Sequence, residues 1–174
     1  MTDAARDEVD LIVEAWHRER PDLDVAPMHV LSRISRLARQ FDRTRGTTFA
    51  AHDLESWEFD VLSALRREGR PYELSPGALG QATLVTSGTM TNRVDRLAQR
   101  GYVERRPAPT DRRGVLVRLT AKGRTVVDAA MADLLDHERA LLDGLPAAER
   151  DALAIALRQL LTAVETGQDA PARA

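Results

Sequence analysis

Residues 86–101 read Thr-Ser-Gly-Thr-Met-Thr-Asn-Arg-Val-Asp-Arg-Leu-Ala-Gln-Arg-Gly, and the reading of this stretch decides the fold. Thr86 or Ser87 caps a helix that runs to about Gln99, where Gly101 stops it. Met90, Val94 and Leu97 recur at helical spacing and form one narrow apolar stripe. Ser87, Thr89, Thr91, Asn92, Arg93 and Arg96 are thereby left largely outward. A shorter helix precedes this one. Ser75 followed by Pro76 is a cap with proline at the first helical position, and Val85-Thr-Ser-Gly88 interrupts the helix soon afterwards. Two helices across so short a turn make a helix-turn-helix.

Directly after Gly101 the pattern changes from helical to alternating. Tyr102-Val-Glu-Arg-Arg106 and Val115-Leu-Val-Arg-Leu-Thr120 predict two strands, with Val115, Val117 and Leu119 on one face. Residues 107–114 are expected to form a polar loop with Arg112 and Arg113 at its tip. A helix-turn-helix followed at once by a hairpin with a basic tip is a winged helix.

The remaining sequence is helical. A first helix is expected from about Asp3 to Glu19, with Leu11, Ile12, Ala15 and Trp16 as its apolar stripe and Pro21 ending it. A second opens near Pro27, with Asp24 as a candidate cap, and carries Met28, Leu31, Ile34, Leu37, Ala38 and Phe41. Gly46-Thr-Thr breaks its pattern. Asp53 is the expected cap of a third helix that buries Leu54, Trp57, Val61, Leu62 and Leu65 and stops at Gly69-Arg-Pro. After the wing, one helix spans about Lys122 to Leu142, with Val126, Val127, Ala130, Leu134 and Leu141 on its apolar side. A last one runs from about Ala147 to Glu165, with Leu153, Ala156, Leu157, Leu160, Leu161 and Val164 inward.

The chain has 174 residues and no cysteine. At this length folding buries roughly 70% of the unfolded chain's surface, so no staple is required. The missing thiols exclude disulfides, thiolate metal sites and cysteine nucleophiles. No apolar run approaches the ~20 residues that cross a bilayer, and the start Met1-Thr-Asp-Ala-Ala-Arg-Asp-Glu8 is too acidic for a signal peptide, so a cytoplasmic protein without a membrane partner is expected. The net charge of −2 hides an asymmetry: residues 70–125 carry 11 basic and 4 acidic side chains, net +7, between flanks of −4 and −5. A basic middle in an acidic frame fits a module that binds a polyanion, although paired surface arginines would give the same count.

The placement of those arginines points to double-stranded DNA. An α-helix fits the major groove of B-DNA, where Asn pairs with adenine, Arg with guanine, and a threonine methyl meets the thymine methyl. Ser87, Thr89, Thr91, Asn92, Arg93 and Arg96 supply that set. Arg112 or Arg113 at the wing tip would reach the neighbouring minor groove. Asp111 has two readings beside them. It orients a neighbouring arginine, or it caps an Asx-type turn.

These segments, Thr86 through Arg105 and then Asp111-Arg-Arg-Gly-Val-Leu-Val-Arg-Leu-Thr-Ala-Lys-Gly123, resemble the MarR family of bacterial transcriptional regulators. The likeness takes in the recognition helix, the wing and the Leu-Thr-x-x-Gly signature, and the helical order follows over residues 25–165. The resemblance implies a homodimer with intertwined terminal helices, two winged-helix lobes on a pseudo-palindromic operator, and release by a small phenolic or anionic effector. It also implies that Arg113 enters the minor groove with support from Asp111. The expected fold is therefore mainly α, a winged helix-turn-helix with a small β-hairpin wing plus an intertwined helical dimerisation region. In domain terms, residues 1–50 would serve dimerisation and an effector pocket, 53–124 the DNA-binding lobe, and 122–166 dimerisation. Long apolar stripes on the terminal helices argue independently for a twin copy, which would set two recognition helices about one DNA turn apart, ~34 Å; the alternative is an intramolecular bundle of the same helices.

Trp16 lies on an N-terminal helix that resembles the one in the urate-responsive branch of the family. There, Trp16, Asp60 and Arg93 match positions that hold an anionic purine. Gln81 stands where that branch would place an arginine, and an amide lacks the bidentate fork that guanidinium offers an anion. The sequence therefore points away from urate and toward another small aromatic effector, with Trp16, Asp60, Gln81 and Arg93 as candidate contacts. Trp16 has a plainer reading as the residue that packs the added helix. His17, His29, His52 and His137 lack paired metal spacing, so no metal or other cofactor is expected. No nucleophile–base pair or phosphate loop suggests an enzyme.

Overall fold

The computed structural model describes residues 6–108 and 111–168, with the side chains of residues 111–113 and 168 outside that description. Among these residues seven helices and three strands run in the order α1 (Glu8–Glu19), α2 (Met28–Ala51), α3 (Ser56–Arg67), β1 (Glu73–Leu74), α4 (Pro76–Ala82), α5 (Ser87–Gln99), β2 (Val103–Ala108), β3 (Asp111–Leu119), α6 (Ala121–Leu142) and α7 (Ala147–Gln168). The chain divides into two compact units within α6, at Ala130 and Met131.

The first unit holds the winged helix-turn-helix. Its core collects one apolar face from each element. Leu62 and Leu65 of α3, Leu79 of α4, Met90, Val94 and Leu97 of α5, and Val117 of β3 are all sealed from solvent. Phe49 at the end of α2 stacks on Phe59 of α3 with ring centroids 4.1 Å apart, which fixes the angle between those helices. The antiparallel sheet has the strand order β1-β3-β2, with Glu73 opposite Arg118 and Val103 opposite Leu119. β1 is too short to leave a periodic signal in the sequence.

Caps and glycines explain several boundaries. Ser75 Oγ accepts the Ala78 amide at 3.1 Å, and Thr86 caps α5, both as the sequence implies. Thr120 opens α6, its Oγ1 accepting the Gly123 amide at 3.0 Å while donating toward the Gly101 and Tyr102 carbonyls. A Cβ on Gly123 would run into the Tyr102 carbonyl oxygen, so the Leu-Thr-x-x-Gly signature is a close-packing requirement where α6 leaves the sheet.

Other expectations are corrected. α2 does not break at Gly46-Thr-Thr; it continues to Ala51. Its threonines bond back to the helix, Thr44 to the Gln40 carbonyl and Thr47 to that of Arg43, each at 3.1 Å. A single interior glycine costs about 1 kcal/mol, which tertiary packing of Thr48 and Phe49 outweighs. On α1 the buried residues are Val9 and Val13, whereas Leu11 and Trp16 are exposed. Asp7 caps that helix in a reciprocal box with Asp10. Asp53 does not cap α3; Glu55 does, in a box with Glu58, while Asp53 sits at φ 56°. Residues 111–114 are not loop, because β3 already begins at Asp111 and β2 continues to Ala108. The hairpin thus extends past the lobe, which exposes Val115 although Val117 and Leu119 are buried. On α6, Val127, Ala130 and Leu134 are buried and Leu141 is exposed. In the second unit, α7 keeps its predicted apolar series, but Leu153, Leu157, Leu161 and Val164 all remain exposed in the single chain.

Candidate nucleic-acid interface

Helix α5 divides cleanly between two faces. Met90, Val94 and Leu97 are wholly buried, while Ser87, Thr89, Thr91, Asn92 and Arg96 are exposed and Arg93 is half-exposed. The small hydroxyl residues are partly committed to the helix itself. Thr86 Oγ1 and Thr89 Oγ1 share a hydrogen bond of 3.0 Å, and Thr91 Oγ1 donates to the Ser87 carbonyl at 3.1 Å. Spending its proton inward leaves Thr91 presenting a methyl group and an acceptor to an incoming partner. Asn92 adds an exposed carboxamide to this face.

Arg93 and Arg96 are ordered by a ring that the sequence reading assigns to the core. Trp57 is only half-buried, and its indole lies beneath both guanidiniums, 5.3 Å from Arg93 and 4.7 Å from Arg96. Trp57 Nε1 donates to Glu55 Oε2 at 2.7 Å, and the other oxygen of Glu55 pairs with Arg96. The Trp57 N–H, then Arg96, hold the Glu55 carboxyl below its usual range. Such a stack gives a long side chain a preferred direction at modest entropic cost. Arg93 also pulls on Asp60, an exposed residue whose carboxyl is pushed up by partial desolvation against the opposing charges of Arg93, Arg45 and Arg67.

A second cluster anchors the far end of α5. Arg100 donates to Glu58 Oε2 and Asp53 Oδ2, both at 2.6 Å, and its guanidinium lies 4.8 Å from the Tyr102 ring centroid. Glu58 is completely buried and also accepts the Glu55 amide at 2.9 Å, while its Oε1 has no partner. A buried carboxylate stripped of its arginine would be strongly destabilising, so Arg100 is a structural residue despite its basic charge. Arg105 of β2 reaches Asp95 of α5 at 2.7 Å, which ties strand to helix. Glu55, Trp57 and Arg100 were missed by sequence reasoning. The Glu55-x-x-Glu58 box carries a local signal, whereas the Trp57 stack spans two elements and carries none.

The other candidates are dispersed. The backbone of Asp111, Arg112 and Arg113 opens β3, and their side chains lie outside the described residues. Asp60 and Arg93 are brought into electrostatic reach. Gln81, in contrast, is exposed beside a concavity of about 400 Å³ between the starts of α4 and α5. Trp16 is 47% exposed on α1. A concavity of about 1050 Å³ beside that helix is lined by Asp10, Val13, His17, Leu23, His29 and Arg33 among others. Among the described residues no cluster could hold a metal ion, and no helix is long and apolar enough to cross a membrane.

Comparison with known proteins supplies the family. A sequence profile of the MarR family matches residues 52–114. The chain is 39% identical over 158 residues to the HTH-type transcriptional regulator PecS of Dickeya dadantii, covering 91% of this chain and 93% of that one. It is 31% identical to the HTH-type transcriptional repressor NicR of Pseudomonas putida, over 82% of this chain and 91% of the relative. Among solved structures, the MarR family regulator Sco5413 of Streptomyces coelicolor superposes with a TM-score of 0.67 at 29% identity, over 82% of this chain and 98% of that one. A cysteine-to-serine mutant of Escherichia coli MarR, crystallised with operator DNA, gives 0.66 at 29% identity, over 80% and 99%. The fold, the outward-facing polar set on α5 and these likenesses agree: the chain belongs to the MarR family of DNA-binding transcriptional regulators, a family of regulators and not of enzymes.

Proposed function

We propose that this regulator is an effector-responsive repressor that binds a pseudo-palindromic operator as a homodimer. The observation that carries this reading is the division of α5, in which an unbroken polar face at Ser87, Thr89, Thr91 and Asn92 backs onto a fully buried apolar one. α5 enters the major groove, with Asn92 and Arg93 reading base edges and Thr91 offering its methyl group. Arg96 exchanges Glu55 for DNA on docking. The wing enters the adjacent minor groove through Arg112 and Arg113, with Asp111 orienting an arginine. Repression is supported by the likeness to NicR, which is named a repressor, and operator binding by the MarR structure solved with operator DNA.

The homodimer is supported by apolar residues that one chain leaves uncovered on α2 and α7, among them Leu31, Phe41, Leu157 and Leu161. A twin copy buries them and places two α5 helices on successive turns of the duplex. Residues 1–50 and 122–166 then serve dimerisation, and residues 53–124 bind DNA. A small aromatic or anionic effector held near Asp60 and Arg93 favours a lobe spacing that no longer fits the operator. The coupling is direct in this reading, because Arg93 belongs both to the reading face and to the charge cluster around Asp60.

The test is a gel shift with the DNA upstream of the protein's own gene, at two salt concentrations. Wild type binds more weakly at the higher salt, and Arg113→Ala loses about 1–3 kcal/mol at every operator while remaining dimeric. Normal binding by that variant overturns the wing assignment, and failure of the wild type to bind any duplex at low salt overturns the whole reading.

A further inference from the structure

The turn between α4 and α5 contains a residue that neither packing nor backbone geometry accounts for. Helix α4 ends in a Schellman motif. The Val85 amide donates to the Gly80 carbonyl at 3.0 Å, and the Leu84 amide donates to the Gln81 carbonyl at 3.3 Å. That pattern puts Leu84 at the position after the cap, in the left-handed region at φ 56°. Glycine is the usual occupant there, because a Cβ crowds the backbone in this conformation. The motif is also tightly set, since a Cβ on Gly80 would lie 3.1 Å from the Val85 carbonyl oxygen. Leu84 therefore cannot relax into another conformation without breaking the turn.

A strained residue is ordinarily held in place by contacts. Leu84 has none of that compensation, because it is 93% exposed, more than any other large hydrophobic side chain among the described residues. An isolated exposed leucine is unremarkable, and so is an occasional left-handed residue. Their coincidence is not, because here a leucine is less stable than glycine on two counts and gains nothing inside the chain. Leu84 also has a defined place. It borders the concavity of about 400 Å³ at the start of the recognition helix, together with Gln81, Thr86 and Ser87.

We infer that Leu84 is a DNA-contacting residue, an apolar prong that is buried only when α5 docks. Its occupant is the apolar surface of the duplex at the edge of the major groove, either a thymine methyl group or the carbon face of a deoxyribose. This rests on the proposed placement of α5 in the groove. The turn just before Thr86 then lies against the strand that the start of α5 approaches, and leucine, unlike glycine, offers that strand four side-chain carbons.

Leu84→Gly tests the inference, because glycine is the residue that the backbone prefers. The variant folds with an unchanged or higher Tm, by up to about 4 °C. Its affinity for the duplex upstream of its own gene falls about 10-fold, as expected for losing a largely buried leucine. The dependence of affinity on salt stays as in the wild type, because no counterion contact is lost. Repeating both titrations with uracil in place of thymine separates the two sources. If the leucine's advantage vanishes, it meets thymine methyl groups, and if the advantage persists, it meets deoxyribose. DNA affinity within twofold of wild type overturns the inference, even if repression in cells is lost, since that result would assign Leu84 to a protein partner. Arg93→Ala run alongside keeps the two claims apart. If it loses affinity while Leu84→Gly does not, the groove placement stands and only the prong is wrong.

Discussion

Gly123 carries more of the lobe's geometry than its size suggests. It lies where the first turn of α6 passes the Tyr102 carbonyl, which any Cβ at this position would overlap. The obstructing atom is backbone, pinned by the Thr120 hydroxyl and by the Thr120 amide, which donates to it at 3.0 Å. Gly123→Ala is therefore expected to lose about 1–3 kcal/mol, a drop of roughly 3–9 °C in Tm, by thermal denaturation followed by circular dichroism. An unchanged melting curve would mean that α6 slides freely past the sheet. Trp57 shows the limit of reading at this scale. Its position on the apolar side of α3 predicts burial in the core, yet the ring is half-open, and what meets it is a pair of guanidiniums, Arg93 and Arg96 of α5. Periodicity registers that a side chain faces inward and not which neighbouring element arrives to meet it.

Among the elements, α1 is held to α2 by charge as much as by Val9 and Val13. Arg33 bridges Asp7 and Asp10, and Arg36 meets Glu8 at 2.6 Å. The Arg33 side chain lowers Asp7, Arg36 lowers Glu8, and the Asp7 amide followed by Arg33 lowers Asp10. A carboxyl that is lowered in the folded state contributes stability above its unfolded value and loses it as pH falls through the folded one. His29, 3.7 Å from Asp10, faces the same cluster. These groups are exposed or half-exposed, so the effect is local and sensitive to salt. Acidification below about pH 4 should release α1 before the lobe unfolds. Trp16 fluorescence in a Trp57→Phe background reports this, and Arg33→Ala should weaken α1 docking already at neutral pH. If Trp16 emission shifts only together with global unfolding, the clamp contributes nothing. α2 teaches the complementary lesson. Its Gly-Thr-Thr interruption is a strong local stop signal, and it is overridden because Phe49 must reach Phe59.

For the whole molecule, the decisive feature is the apolar series that α7 leaves exposed in the single chain. Leu153, Leu157, Leu161 and Val164 lie on α7 at spacings of three and four residues and are each at least 44% exposed. Leu157→Asp combined with Leu161→Asp should convert the proposed dimer to a monomer in sedimentation velocity and weaken operator binding about 100-fold or more, as two linked half-site contacts would become one. A wild-type protein that sediments as a monomer, or a dimeric double variant, would remove α7 from the interface. The sequence by itself determined the winged helix-turn-helix, because capping residues and the change from helical to alternating period are local and their physics is nearly independent of context. It likewise determined the polar face of α5, since one narrow stripe of Met90, Val94 and Leu97 leaves nothing else to bury. Tertiary structure alone decided that Arg100 serves the buried Glu58, that Arg96 rests on Trp57 and Glu55, and that Leu84 stands unburied in a glycine conformation. Each of these depends on groups far apart in the chain, or on burial that a linear pattern does not encode. The same basic residue is a reader, a strut or a surface charge according to which carboxylate or ring the fold brings within about 3–5 Å of it.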